Sequence, residues 1–291
     1  MSYAPSMHEL PLPEDSISRR INLEPIVFAG GGRALLLQVA HPSVAAGVAG
    51  FSDYRTDPWN RLFRTVDVML KLAFGSPEQS AQQAKVLAAR HRRVQGVDET
   101  GRQYHALDPD LLVWVWATLA DTSLTVHQRV FGRLARAELQ RFHAEQIPVA
   151  VACGAPIEAV PATYDEFTAY FDRVVAEDLV VTSGARDVQL ATMVPPLPTP
   201  LRQLAGPMNT AVTTSLLPPT LREAYELPWG PRERRSARAF FAAARVGRVL
   251  PTGLRQLPSS YQLHRERALH LRPIAGAPPG SRILARRQHA S

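Results

Sequence analysis

Four side chains between Asp57 and Gly96 have types and spacings that could do chemistry. Arg61, Arg64 and Thr65 fall three and four residues apart on one expected helix, so they share a face. His91 falls on the next expected helix, among Leu87, Ala88 and Val94. Arginine stays protonated even when partly buried, so Arg61 and Arg64 would hold an anion or stabilise charge growing on a bound oxygen. Neutral imidazole is a good axial ligand for haem iron, and the small Ala84 and Ala88 would let a flat ring approach the face that carries His91. A lone histidine on an apolar face is more often an ordinary core residue, and an arginine stripe more often lays its stems over apolar surface. On residue types alone both readings stay open.

His41 is the next candidate. It precedes Pro42, which cannot continue a helix, and such breaks expose backbone and often line sites. Trp114, Val115 and Trp116 would shape an apolar cavity, while His105 falls in a polar loop and His127 at the boundary of a long helix. Rival metal chemistries fail on spacing. Glu138 and His143 are five apart, unlike the Glu-x-x-His pairs of di-iron bundles. His8-Glu9 lacks the second histidine of a zinc-protease helix. The single cysteine, Cys153, excludes internal disulfides and cysteine-held clusters. The Gly30–Arg33 run follows no strand, which makes it a poor phosphate loop.

Helices must position these groups. A buried helix is expected over Ile26–Val39, entered through Gly30-Gly31-Gly32, with a short one over Ser43–Ala49 after the His41-Pro42 break. Asp57-Pro58 opens a helix that Gly75 ends, and Ser76-Pro77 opens the next, which runs to about Val94. Val97–Ala106 reads as a polar loop or short hairpin. Strongly apolar Asp110–Leu134 follows, then Ala135–Val151, and then Tyr164–Val181 behind the Thr163/Glu166 capping box. A proline-rich connector at Met193–Leu201 precedes helices over Leu201–Leu216, Thr220–Tyr225, Arg232–Val249 and Ser260–Leu271. The fold class is all-α: a single globular multi-helix domain over 16–274, with a flexible N-terminus over 1–15 and a basic disordered tail over 275–291.

The 291 residues carry a formal charge of +7, nearly all of it as arginine spread along the chain. Without a dense basic run or a compact helix-turn-helix, a nucleic-acid partner is not expected. The first residues lack a charged start followed by an apolar core, and the apolar stretch Ile26–Phe51 contains Arg33, His41 and Pro42. A cytoplasmic protein without membrane insertion is therefore expected, and a homodimer stays open.

Between Ile26 and Ile147 the chain carries, in order, LLLQVAHPSVAAGV at Leu35–Val48, DPWNRLFRT at Asp57–Thr65, FGS at Phe74–Ser76, ARHRRVQG at Ala89–Gly96, GRQYHALDPDLLVWVWATL at Gly101–Leu119, and ELQRFHAEQ at Glu138–Gln146. This succession resembles the haem oxygenase family that includes the latex-clearing rubber oxygenases and the MpaB-type oxygenase of mycophenolic acid biosynthesis. The resemblance implies an all-α fold around b-type haem, with His91 as the proximal iron ligand. Arg61 and Thr65 match the arginine and threonine that the family places one turn apart on the preceding helix. Rubber oxygenases carry a lysine just before that threonine that can approach the distal face. Arg64 stands there in this chain and cannot shed its proton to ligate iron. Trp116 stands where many relatives carry histidine; it can neither ligate nor act as a base, but can pack on the haem edge or the substrate. The implied activity is that of a haem-dependent oxidoreductase, whether dioxygenase, peroxygenase or peroxidase-like. It would use dioxygen or hydrogen peroxide on a small or medium organic substrate, with His41, Arg61, Arg64 and Thr65 at the reacting side. The alternative is a protein that binds haem or an apolar ligand, or senses one, without turnover.

Overall fold

Proline at the first helical position opens much of this structure, because its fixed φ suits a helix start and its missing N–H is not needed there. The computed structural model describes residues 10–51, 58–193 and 198–268; the side chains of 51, 58–64, 204, 262 and 264–268 lie outside the described residues, and with them those of Arg61 and Arg64. Helix α1 is Ile17–Asn22, followed by a 3-10 turn at Pro25–Gly30. Then come α2 (Gly31–Val39), α3 (Pro42–Phe51), α4 (Pro58–Phe74) and α5 (Pro77–His91). An antiparallel hairpin follows, β1 (Gln95–Val97) and β2 (Gln103–His105), with Gly96 opposite Tyr104. The remaining helices are α6 (Pro109–Phe131), α7 (Arg136–Ala152), α8 (Tyr164–Glu177), α9 (Ser183–Met193), α10 (Thr199–Leu216), α11 (Pro219–Ala224), α12 (Pro231–Gly247), α13 (Thr252–Arg255) and α14 (Leu257–Ala268). The all-α class holds, in one helical domain with only this small sheet. Among the described residues no helix is long and apolar enough to cross a membrane.

Three helices, α1, α9 and the short α13, stand where none is expected from the sequence, and the first two have their first turns completed by a carboxylate far away in the chain. Glu145 on α7 accepts hydrogen bonds from the Ile17 and Ser18 N–H groups of α1 at 3.3 and 2.8 Å. Glu99 in the hairpin loop accepts from the Ser183 and Gly184 N–H groups of α9 at 3.0 and 2.8 Å. An acidic group at a helix N-terminus satisfies orphan donors and opposes the macrodipole. Neither contact leaves a local sequence signature. Leu12, within the segment expected to be flexible, is buried and donates its N–H to the Ala73 carbonyl on α4 at 2.8 Å.

Helix α2 is the axle. Every residue from Gly32 to Val39 is buried, and α2 packs against α3, α6, α9 and α10. The glycine run has a packing role: a Cβ at Gly30 would sit 2.5 Å from Thr122 on α6, and one at Gly32 would sit 2.4 Å from Thr213 on α10. Arg33 uses the same close approach. Its Nε donates to the Leu216 carbonyl at 2.7 Å, Nη1 to the Thr122 hydroxyl at 2.6 Å, and Nη2 pairs with Asp121 at 2.6 Å. Where Pro42 breaks the ladder, carbonyls near the α2 C-terminus take outside donors: Leu36 from the Tyr225 hydroxyl, Leu37 from the Trp114 indole, Ala40 from the Val180 N–H.

Removing Arg33 would leave the half-buried Asp121 carboxylate and the buried Leu216 carbonyl without their partner. Arg33→Met is expected to lower unfolding free energy by about 3 kcal/mol, measured by denaturant titration. His127 on α6 supplies a pH test. Its ring is buried, stacked on Phe131 at 4.7 Å, and desolvation, with Arg20 next, lowers its pKa from 6.5 to about 4 despite opposing Glu24 and Glu138. The unfolded imidazole therefore takes a proton that the folded one refuses, so its contribution is full above pH 6.5 and is lost as pH falls toward 4. The melting temperature should fall across that window, and less steeply in His127→Leu.

Candidate functional site

Two hydrophobic clusters fail to merge where α4 faces α2 and α6. One is the main core, with Leu35, Trp116 and Ala120; the other joins Leu70, Ala73, Phe74 and Val149. Between them lies an open cavity whose empty space, with the adjoining solvent at its mouth, is about 1030 Å³. Three helices line it with the same period. Gly31, Ala34, Leu35 and Gln38 come from α2; Val66, Met69, Leu70 and Ala73 from α4; Trp116, Leu119, Ala120 and Ser123 from α6. Each set is spaced i, i+3, i+4, i+7, one face of an α-helix. Thr65 stands beside the α4 stripe, exposed, at the rim.

The polar groups on the wall largely satisfy one another or their neighbours. Ser123 donates to the Asn22 side-chain oxygen at 2.8 Å, Gln38 to the Thr118 hydroxyl at 3.0 Å, and Gln146 to the Ser18 hydroxyl at 3.0 Å. Trp116 is the exception: its indole nitrogen is buried without a partner. Its ring is held from behind by Phe167 at 5.5 Å and His143 at 6.0 Å. His143 is itself hydrogen-bonded to the Pro161 carbonyl at 2.8 Å. No charged side chain lines the described wall.

His91 is the last residue of α5, which packs antiparallel on α4 after the turn at Gly75-Ser76. That register returns the end of α5 toward the start of α4, the turn that carries Arg61. The ring is partly buried, and Nδ1 is buried with no hydrogen-bond partner. Desolvation first, and His105 second, hold its pKa below the ordinary imidazole value, so it is neutral at pH 7. His41, at the α2–α3 break, is also buried with an unpartnered Nδ1, and burial followed by Arg102 lowers its pKa. Nearby, Asp98 accepts from the Ser43 hydroxyl at 2.7 Å and from the Thr100 and Arg102 N–H groups. Burial raises the Asp98 pKa, but the bonds from Thr100 and Ser43 outweigh it and keep the carboxyl ionised.

The structure thus brings Thr65 and Trp116 to one cavity, and leaves His91 and His41 outside its wall. Gln38, Asn22 and Met69 are wall residues that sequence reading missed. Gln38 had a signal, as a lone amide inside the apolar run LLLQVA. Cys153 is inert: burial pushes its thiol up to about 12. Among the described residues no group of three or more His, Cys, Asp or Glu could hold a metal ion.

Similar proteins include the uncharacterized protein Mb2261 of Mycobacterium bovis and the uncharacterized protein Rv2237 of Mycobacterium tuberculosis. Each is 26% identical over 223 residues, covering 75% of this chain and 87% of the relative. No solved structure matches. A family model described as "ER-bound oxygenase mpaB/B'/Rubber oxygenase, catalytic domain" matches residues 18–246, from α1 almost to the end of α12 and across all three walls of the cavity, and the chain belongs to that family of oxygenase catalytic domains.

Proposed function

We propose that this oxygenase-family chain holds a b-type haem through His91 and oxidises a small or medium organic substrate, largely apolar, with dioxygen or hydrogen peroxide. The observation that carries the reading is the state of His91: a neutral, partly buried imidazole with Nδ1 unpartnered, ending the helix that pairs with the Arg61–Thr65 turn. The donor chemistry fits the group. One imidazole is a poor cage for a bare ion, which needs several side chains, but it would serve to hold an iron already carried by a porphyrin. When bound, haem supplies the electron transfer and oxidant activation that side chains cannot.

The chain's own residues then have separable tasks. Burial keeps His91 unprotonated, the form that can ligate. The stripes from α2, α4 and α6 exclude water and take an apolar body. Thr65 offers a hydroxyl at the rim, where it can donate to a bound oxygen atom. Arg61 and Arg64, placed by sequence on the same helix, would hold propionates or steady negative charge. Trp116 shapes the wall and cannot take up a proton. His41, neutral and unpartnered at Nδ1, is the imidazole free to hold one. Histidine ligation gives less electronic push than thiolate, so alkene cleavage or aromatic oxidation suits this site better than alkane hydroxylation.

The cavity itself favours a second reading, an apolar-ligand binder without turnover, because its described wall includes neither His91 nor His41. An absorption spectrum separates the two. The purified protein is expected to show a strong Soret band, and His91→Ala to lose it while keeping its helical circular dichroism. A His91→Ala protein with the wild-type spectrum would overturn the assignment. Thr65→Ala is expected to retain haem but lower turnover about 10- to 100-fold and alter the spectrum of the oxidant-bound form.

A further inference from the structure

Among the described residues, most large apolar side chains left in solvent fall in one stretch of the chain. Val246, Val249, Leu250, Leu254, Leu257 and Tyr261 are all exposed, Val249 at 80% and Val246 at 69%. They run from the last turn of α12 through α13 into α14. The same stretch is strongly basic: from Pro231 to Leu263 seven arginines stand against one acid, Glu233, which already accepts from the Gly230 N–H at the start of α12. Arg235 and Arg238 lie on α12 ahead of the apolar cluster, exposed, and Arg245 and Arg248 flank it.

This corner is held firmly from inside. Phe241 and Leu263 are buried, as is Ser259. Arg255 grips Glu24 through two nitrogens, at 2.8 and 3.1 Å, and lies over the Phe131 ring at 5.1 Å. The exposed aliphatic groups are therefore presented by anchored helices. An apolar patch rimmed by polar groups marks an interaction site.

We infer that this corner docks onto the surface of an anionic lipid bilayer, with the aliphatic side chains entering the headgroup boundary and the arginines meeting lipid phosphates. The chemistry selects this occupant. A second copy related by a two-fold axis would set arginine against arginine. Residues 269–291 carry four arginines and no acid, so the chain's own C-terminal sequence has the same sign as the patch. Nucleic acid would match the charge but leave the valines and leucines without a partner. Of these occupants, an anionic membrane surface offers negative charge and an apolar layer together.

The inference is independent of haem ligation and is tested on the full chain. Vesicles of phosphatidylcholine alone are compared with vesicles containing roughly a third phosphatidylserine, by co-sedimentation. Binding is expected to the anionic vesicles, weakening from about 0.1 M to about 1 M salt. The double variant Leu250→Glu/Leu254→Glu, both positions exposed, should bind at least about tenfold more weakly with unchanged circular dichroism. Absence of anionic-vesicle binding overturns the inference, as does equal binding by the double variant. A wild-type dimer dissociated by these substitutions without any vesicle binding assigns the corner to self-association instead, and capture of duplex DNA without vesicle binding assigns it to nucleic acid.

Discussion

The close approach of α2 to α6 and α10 is the constraint on which the rest depends. Without side chains at Gly30 and Gly32, the three backbones come near enough for a single guanidinium to reach both neighbours. Arg33 then sits almost fully buried, with its charge met by Asp121 and its remaining donors by Thr122 and the Leu216 carbonyl. A buried charge with every donor placed is an orientation device as much as a source of stability, because only one register of the helices satisfies it. That register fixes which faces of α2 and α6 turn toward α4, and so fixes two of the three walls of the cavity.

The cavity walls were legible in the sequence; their common destination was less so. Val66, Met69 and Leu70, followed by Ala73, read as a helical stripe on their own, and the Trp116 neighbourhood reads as an apolar helix. What periodicity cannot say is that the α2, α4 and α6 stripes converge on empty space and not on one another. That depends on two clusters that close separately, one around α2 and α6, the other around α4 with Leu12 and Leu263. The glycine run misleads in the same way: its role lies in Thr122 and Thr213, about ninety and one hundred and eighty residues onward. Helices α1 and α9 escaped notice although Ser16 and Thr182 cap them locally; the carboxylates that complete their first turns, Glu145 and Glu99, are remote in sequence. Local caps such as Ser76 with Gln79 were visible because both partners fall within one turn.

Arginine shows why composition alone says little here. Arg33 and Arg255 are structural because Asp121 and Glu24 wait for them inside the fold. Arg235 and Arg238, of the same residue type, project from α12, where the acid Glu233 is already occupied as a cap. Equal formal charges therefore act unequally: arginines with internal acids contribute less field outside than exposed ones such as Arg235 and Arg238.

The histidines follow the same logic of prior engagement. Burial pushes the pKa of His41, His91, His127 and His143 down, so neutrality alone does not single out a ligand. Their surroundings do. His143 is bonded to the Pro161 carbonyl, and the His105 ring accepts from the Leu107 N–H. His127 also keeps a buried Nδ1 without a partner, but its ring is stacked on Phe131, with Arg20 and Arg255 balanced by Glu24 and Glu138 around it. His41 and His91 likewise each keep a buried Nδ1 without a partner, and around His41 the aspartates Asp178, Asp98 and Asp110 oppose Arg102. His91 has no arginine among the charges that shift it, only another imidazole. A ligating imidazole would have to be neutral and free of competing bonds; His91 meets both conditions, and the proposal that it does ligate rests on its place at the end of α5 as well.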